Sequence, residues 1–160
     1  MKRCVTVFGI AIGSFLAIGR GYAGERVLVD RQSLSLEAAR RIVAAAEREA
    51  TARGVGVVIA VVDSAGMLIE LSRMDTAQVA SVNVGIGKAR TAAIYRRPSR
   101  EFEEQIRNGR VAALALVDAT PLQGGVPVVV DEVVVGAVGV SGDTPAADEA
   151  IAIAGAAVVR

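Results

Sequence analysis

VVIAVVDSAGMLIEL, residues 57–71, is the stretch that decides the fold. The β-branched run over residues 57–62 is typical of a buried strand, and Asp63-Ser64-Ala65-Gly66 is typical of a turn. Residues 67–71 then return as a second strand. Because a short turn joins antiparallel strands, the stretch predicts a β-hairpin.

A second hairpin is predicted further along the chain. Residues 126–130 and 133–140 are valine-rich and are joined at Asp131-Glu132. Gly136 and Gly139 lie within the last strand, where glycine permits close approach of a ligand or another backbone.

Helical patterns surround both hairpins. Ser35 is a predicted N-cap, and Gly54 ends the helix that follows. The other predicted helices cover residues 78–96, residues 100–107 after a capping Ser99, and a stretch from the N-cap Thr144 to Val159. The apolar residues 111–117 fit a strand or a buried loop. The order predicts one α+β domain with a single antiparallel sheet on which helices pack.

The N-terminus has the three parts of a secretory signal. Met1-Lys2-Arg3 is basic, residues 4–19 carry no charge, and Gly21 and Ala23 fit a small-x-small cleavage site. We therefore predict a signal peptide at residues 1–23, a domain at residues 24–160, and a location in the periplasm or outside the cell. Cleavage removes three basic residues and no acid, which changes the net charge from +1 to −2.

Composition excludes several kinds of chemistry. The chain has no histidine, and its single cysteine is Cys4, so neither a Cys/His zinc site nor a Ser-His-Asp triad can form. After residue 23 the aromatic side chains are Tyr95 and Phe102. With so few rings and no basic patch, we expect no nucleic-acid partner. We also expect no metal site, and no membrane span once the signal is cleaved.

Several strings in a fixed order resemble the GlcG/HbpS-like family, also described as heme-degrading-like. They are SLEAARRIVAAAE, VIAVVDSAG, KARTAA followed by RRPS, TPLQGGVPVVV and GAVGVSGDTPAADEAIA. The resemblance runs from about Leu34 to Ala157. It implies a profilin-like or PAS-like fold and a homo-oligomer. It also implies heme as a candidate cofactor, because some members bind heme.

Lys88, in KARTAA, is interpreted either as a solvated surface charge or as a contact for an anionic ligand. Thr91 lies one turn away on the same helix face and is a second candidate. Arg97 precedes the rigid Pro98 and can bind a carboxylate with its planar guanidinium, or it is a cation at a helix end.

The segment from Thr120 to Gly125 is the foremost candidate for ligand binding. Gly124 and Gly125 allow the backbone to approach a ligand closely, and Thr120 and Gln123 supply hydrogen bonds. The alternative is an ordinary turn that leads into a strand.

The junction of the last strand and the last helix is another candidate. The amides of Ser141 and Gly142 are placed to hold an anion. Asp148 is a candidate base or hydrogen-bond acceptor. Alternatively, Asp148 and Glu149 only complement the helix dipole.

Tyr95 is the candidate heme ligand, because a phenolate ligates ferric heme and no histidine is present. The alternative is a core or interface ring. Met67 and Met74 are weaker candidates, with core packing the expected role of Met67.

Three functions are therefore compatible with the sequence. The first is an exported protein that binds heme or another carboxylate-bearing small molecule. The second is an accessory or sensory oligomer without chemistry. The third is an enzyme acting on a small oxygenated organic acid, in which Lys88, Asp148, Tyr95 or Glu70 would transfer protons.

Overall fold

The computed structural model describes residues 29–159, so the predicted signal peptide at residues 1–23 lies outside the described residues. From Arg31 onward the chain forms one compact unit. Its elements in chain order are α1 (Leu36–Arg53), β1 (Val58–Asp63), β2 (Leu68–Arg73), α2 (Ser81–Tyr95), α3 (Arg100–Arg107), a 3₁₀ helix (Val111–Ala115), β3 (Gly125–Val130), β4 (Val133–Ser141) and α4 (Pro145–Ala156).

The four strands form one antiparallel sheet in the order β2-β1-β4-β3. Both predicted hairpins are present, and β1 and β4 pair in the centre. Asp63 Oδ1 accepts from the amides of Ala65 and Met67 at 2.8 and 2.9 Å, which closes the first turn. Asp131 and Glu132 both have positive φ angles, as a two-residue hairpin turn of type I′ requires. The α+β prediction is confirmed.

Helices cover both faces of this sheet. Ile59 and Val61 of β1 point towards α1 and α4, where Ile42 and Ile151 complete a large aliphatic core. The alternate residues of β1 point towards α2, as Ala60 does, and small residues there let α2 lie close to the strands. The two faces are referred to below as the α1/α4 layer and the α2 layer.

The predicted caps of α1 and α4 are confirmed. Ser35 Oγ accepts from the amide of Ala38 at 3.1 Å, and Gly54 ends α1 with a left-handed conformation. Thr144 Oγ1 accepts from the amide of Ala147 at 3.3 Å.

The apolar run at residues 111–117 is neither a strand nor a buried loop. Alanine and leucine favour helical turns, and the segment forms a 3₁₀ helix in which Ala113 is buried. Val111, Leu114 and Val117 are exposed.

Some predicted boundaries are wrong. The second helix begins at Ser81, because residues 78–80 form turns before it. β2 spans Leu68–Arg73 instead of residues 67–71, and its pairing with β1 shifts register between Val61 and Val62. The last helix ends at Ala156 instead of Val159.

Gly139 permits the close approach that its sequence position suggests. A Cβ at Gly139 would overlap the carbonyl oxygen of Gly85 and the amide nitrogen of Ala89, both in α2. The close packing of α2 on β4 therefore depends on the missing side chain.

We predict that Gly139→Ala lowers the free energy of unfolding by roughly 1–3 kcal/mol, because the methyl group must push α2 away from the sheet. Gly85→Ala is the matched control, since its Cβ would lie 3.4 Å from Val58 Cγ1, an ordinary contact. Urea unfolding measures both variants. A Gly139→Ala protein as stable as the wild type would contradict the packing described.

Candidate functional site

The site centres on a buried ion pair between the two helical layers. Lys88 Nζ of α2 lies 2.8 Å from Asp148 Oδ2 of α4, and the two side chains are 5% and 3% exposed. Lys88 Nζ also donates to the carbonyl oxygen of Val140 at 3.0 Å. The interpretation of Lys88 as a solvated surface charge is wrong, because the fold places this amine in the interior.

The adjacent glycines make room for the lysine. Gly124 has a φ of +122°, and a Cβ there would lie 2.9 Å from Lys88 Nζ and 3.0 Å from Asp148 Cβ. A Cβ at Gly125 would overlap the carbonyl oxygen of Lys88. The backbone of the predicted glycine pair thus approaches a buried ion pair closely.

The amides predicted to hold an anion are those of Ser141 and Gly142, whereas the structure places the backbone of Gly142 and Asp143 against the carboxylate of Asp148. The amide of Asp143 donates to Asp148 Oδ1 at 3.0 Å, and the backbone of Gly142 also hydrogen-bonds this carboxylate. Ser141 is buried at the end of β4, opposite Val58 of β1.

Burial raises the pKa of the Asp148 carboxyl above its ordinary value of 3.8. This desolvation outweighs the hydrogen bond and charge of Lys88, which act in the opposite direction. Because the folded-state pKa exceeds the unfolded one, the titration of Asp148 contributes stability at low pH. That contribution is lost as the pH rises through the raised pKa.

Thr91 and Thr120 join α2 to the segment of residues 120–125, which is called the glycine loop below. Thr91 Oγ1 accepts from the amide of Thr120 at 2.7 Å and donates to the carbonyl oxygen of Gly87 at 2.8 Å. Thr91 is fully buried, whereas Thr120 is half-buried. A Cβ at Gly87 would overlap Thr120 Oγ1, so α2 needs a residue without a side chain where the loop crosses it.

Gln123 connects the same loop to α3 and α4. Its side-chain amide donates to Glu149 Oε2 at 2.8 Å, and its backbone amide donates to Glu103 Oε2 at 2.6 Å. Glu149 is buried and also faces Arg100, whose Nε lies 3.5 Å from Glu149 Oε1. Glu149 therefore does more than complement the helix dipole.

Ser99 does not cap α3 with its side chain, contrary to the sequence prediction. Its backbone φ of −64° and ψ of −23° are already helical, and its hydroxyl serves the loop instead. Ser99 Oγ donates to the carbonyl oxygen of Leu122 at 2.6 Å and accepts from the amide of Gly125 at 2.8 Å. The start of α3 is thereby bonded to the segment that covers Lys88.

Next to this buried network lies an exposed surface with a different character. Tyr95 packs edge-on against Phe102, with ring centroids 5.2 Å apart, and the Arg97 guanidinium lies 5.6 Å from the Phe102 ring centre. Tyr95 donates its hydroxyl to the carbonyl oxygen of Val117 at 2.7 Å, and Val117 is 75% exposed. Phe102 itself is only 4% exposed, so its ring supports this surface from below. Together with the exposed Leu114 of the neighbouring 3₁₀ helix, the residues Tyr95, Arg97, Phe102 and Val117 are called the α3 surface below.

The structure thus divides the predicted site residues into two groups. One is buried around the ion pair and its loop: Lys88, Thr91, Gly124, Gly125, Ser141 and Asp148, with Gly142, Thr120 and Gln123 half-buried at its border. The other consists of Tyr95 and Arg97 on the α3 surface. The predicted role of each residue in binding a ligand stays a prediction.

The four groups of the enzyme hypothesis are not all neighbours. Glu70 lies on the edge strand β2, where its carboxylate is 3.8 Å from Arg40 of α1, whereas Lys88 and Asp148 lie beside β4. Met67 is 62% exposed, so the expectation of core packing is wrong for it. Met74 packs against the α1/α4 layer.

Two residues were missed by the sequence reasoning. Ser99 was interpreted only as a cap, because its partners Leu122 and Gly125 lie 23 and 26 positions away along the chain. Arg100 was not singled out, because its partner Glu149 lies 49 positions away along the chain.

Over residues 29–159, no group of three or more Asp, Glu, Cys or His side chains lies close enough to hold a metal ion. Among the helices of the same described part, none is long and apolar enough to cross a membrane.

The fold and site define a class of small α+β protein: a four-stranded antiparallel sheet between two helical layers that are linked by a buried ion pair. The chain belongs to the haem degrading protein HbpS-like family, whose model matches residues 34–157. The predicted family is therefore confirmed.

Similar proteins and solved structures support this membership. Protein GlcG of Escherichia coli strain K12 is 47% identical over 108 residues, which are 68% of this chain and 81% of GlcG. A crystal structure of a Streptomyces reticuli HbpS double mutant is 28% identical, with a TM-score of 0.78 over 98% of this chain and 99% of that one. The PduOC:heme complex is 24% identical with a TM-score of 0.73, over 80% of this chain and 96% of that one, and shows the shared fold.

Proposed function

We propose that this protein is an exported ligand-binding protein that takes heme or another carboxylate-bearing small molecule on the α3 surface. One observation carries the proposal: the guanidinium of Arg97 lies over the Phe102 ring, and Tyr95, which packs on the same ring, bonds the backbone of the exposed Val117. Arg97 is half exposed, and its contact with Glu101 is long at 3.8 Å, so the guanidinium remains accessible to a ligand carboxylate.

Heme matches this surface in two respects. Its flat apolar face would cover Leu114 and Val117, and burial of apolar area contributes about 25 cal/mol per Å². Its propionates would meet the planar donors of Arg97, which suit carboxylates. The matching family is named for haem degradation, and PduOC holds heme on a shared fold.

Tyr95 would be the iron ligand on this surface. Its phenol is half-buried and currently donates to the carbonyl oxygen of Val117, so ligation would replace that hydrogen bond. Phenolate ligation of ferric heme is an established mode, and the chain has no histidine to offer instead.

We predict that the purified protein binds hemin saturably at about one heme per chain, and that Arg97→Ala weakens binding roughly tenfold. The reason is that a charge-assisted hydrogen bond to a carboxylate contributes about 1.5–3 kcal/mol, part of which water replaces. Titration followed by the Soret absorbance measures both.

Arg53→Ala is the matched control, because Arg53 also pairs with a glutamate four residues away but lies at the end of α1. It should leave the hemin affinity unchanged, while Tyr95→Phe should shift the Soret maximum. If hemin gives no saturable spectrum, heme is the wrong ligand; if it binds equally well to the Arg97→Ala protein, the α3 surface is the wrong site.

We propose export on the basis of residues 1–23, whose basic start, uncharged run and small residues before Gly24 form a signal pattern. Cleavage would occur between Ala23 and Gly24.

Mass spectrometry of the protein isolated from its native cells tests the export proposal. We expect a mature N-terminus at Gly24, in protein found in the periplasm or the medium. A protein that retains Met1 or Lys2 and stays in the cytoplasm would contradict it.

We also propose that the chain forms homo-oligomers, as the family resemblance implies. Exposed apolar side chains at Val129, Val133 and Ile153 support this, because contacts between subunits bury such residues.

A further inference from the structure

The buried ion pair is connected to the α3 surface by a continuous series of short contacts. Lys88 bonds the carbonyl oxygen of Val140, whose amide in turn donates to the carbonyl oxygen of Gly124 at 2.9 Å. The next residue, Gly125, exchanges two hydrogen bonds with Ser99. The Ser99 amide donates to the carbonyl oxygen of Gly125 at 2.9 Å, and the Gly125 amide donates to Ser99 Oγ at 2.8 Å.

Ser99 lies between this series and the α3 surface. It follows Arg97 by two residues and immediately precedes α3, which carries Phe102. The amide of Phe102 donates to the carbonyl oxygen of Ser99 at 3.1 Å. A shift of the glycine loop would therefore move the ring on which Arg97 lies.

We propose that Lys88 and Asp148 are positioning residues, which hold the Gly124-Gly125 backbone and through Ser99 fix the start of α3 and the ligand surface on it. The inference rests on the proposed function for the identity of that surface. It gives the two residues a role other than direct contact with the ligand.

Direct contact is unfavourable on geometric grounds. The space beside Lys88 Nζ is filled by Asp148, Val140 and the backbone of Gly124, where even a Cβ would lie 2.9 Å from the amine. A ligand could reach the amine only by displacing the loop. Positioning requires no such movement.

Fold stability alone does not require these charges. Removing two charges from water is costly, and well-packed apolar residues often replace a buried ion pair without loss of stability. What apolar residues cannot replace is the set of directed bonds to Val140, Gly142 and Asp143, which fix the ends of β4 and of the loop.

The double variant Lys88→Met/Asp148→Leu separates the two roles. It fills the space of the ion pair with apolar side chains of similar size and removes both charges together, so no buried charge is left without a partner. We therefore expect the unfolding temperature to stay close to that of the wild type. We expect faster amide hydrogen exchange at Gly125, Ser99 and Phe102, and a hemin affinity reduced roughly tenfold, or about 1.4 kcal/mol.

Ile42→Val is the control for a merely structural effect. It removes one buried methylene from the α1/α4 layer, away from the loop. It should lower the unfolding temperature while leaving both hemin affinity and exchange at Gly125 unchanged. Should the double variant fail to fold, Lys88→Met alone serves, because Asp148 can become neutral by protonation.

The outcomes distinguish this inference from the proposed function. If wild-type protein binds no hemin, the ligand proposal fails, and hydrogen exchange still decides the positioning role. If exchange at Gly125 and Ser99 equals that of the wild type, or if hemin affinity is retained in a folded double variant, the positioning role is overturned.

Discussion

The ion pair between Lys88 and Asp148 is the interaction on which the rest of the site depends. Lys88 belongs to the α2 layer and Asp148 to the α1/α4 layer, so their bond joins the two faces of the sheet where β4 ends and β3 begins. A desolvated pair of this kind is favourable only when further hydrogen bonds satisfy both groups. The backbone of Val140, Gly142 and Asp143 supplies them.

This arrangement imposes its own demands on the sequence. α2 must lie close to β4 for the lysine to reach the opposite layer, and the missing side chain at Gly139 permits that approach, while the one at Gly87 leaves room for Thr120 of the loop. The loop must then pass over the lysine without side chains, which Gly124 and Gly125 allow. Glycines that resemble a ligand-binding loop in sequence thus also serve a buried charge of the protein itself.

The features that could be predicted from sequence are local ones. Both hairpins and the caps at Ser35 and Thr144 follow from neighbouring residues, and the structure confirms them. The burial of Lys88 could not be predicted, because it depends on Asp148, 60 positions away. Residues 111–117 were misassigned because an apolar run in the sequence does not show whether the segment pairs with a strand of the sheet or packs elsewhere. At Ser99 tertiary bonds to the glycine loop replaced the expected cap.

A pH titration of the Asp148 carboxyl carbon by NMR tests whether Asp148 is a buried carboxyl held by Lys88. We expect Asp148 to titrate above its ordinary value of 3.8, because burial raises its pKa. We expect a further rise of this pKa in Lys88→Met, since the lysine lowers it. An ordinary pKa that does not respond to Lys88→Met would show that the two side chains are not paired in the interior.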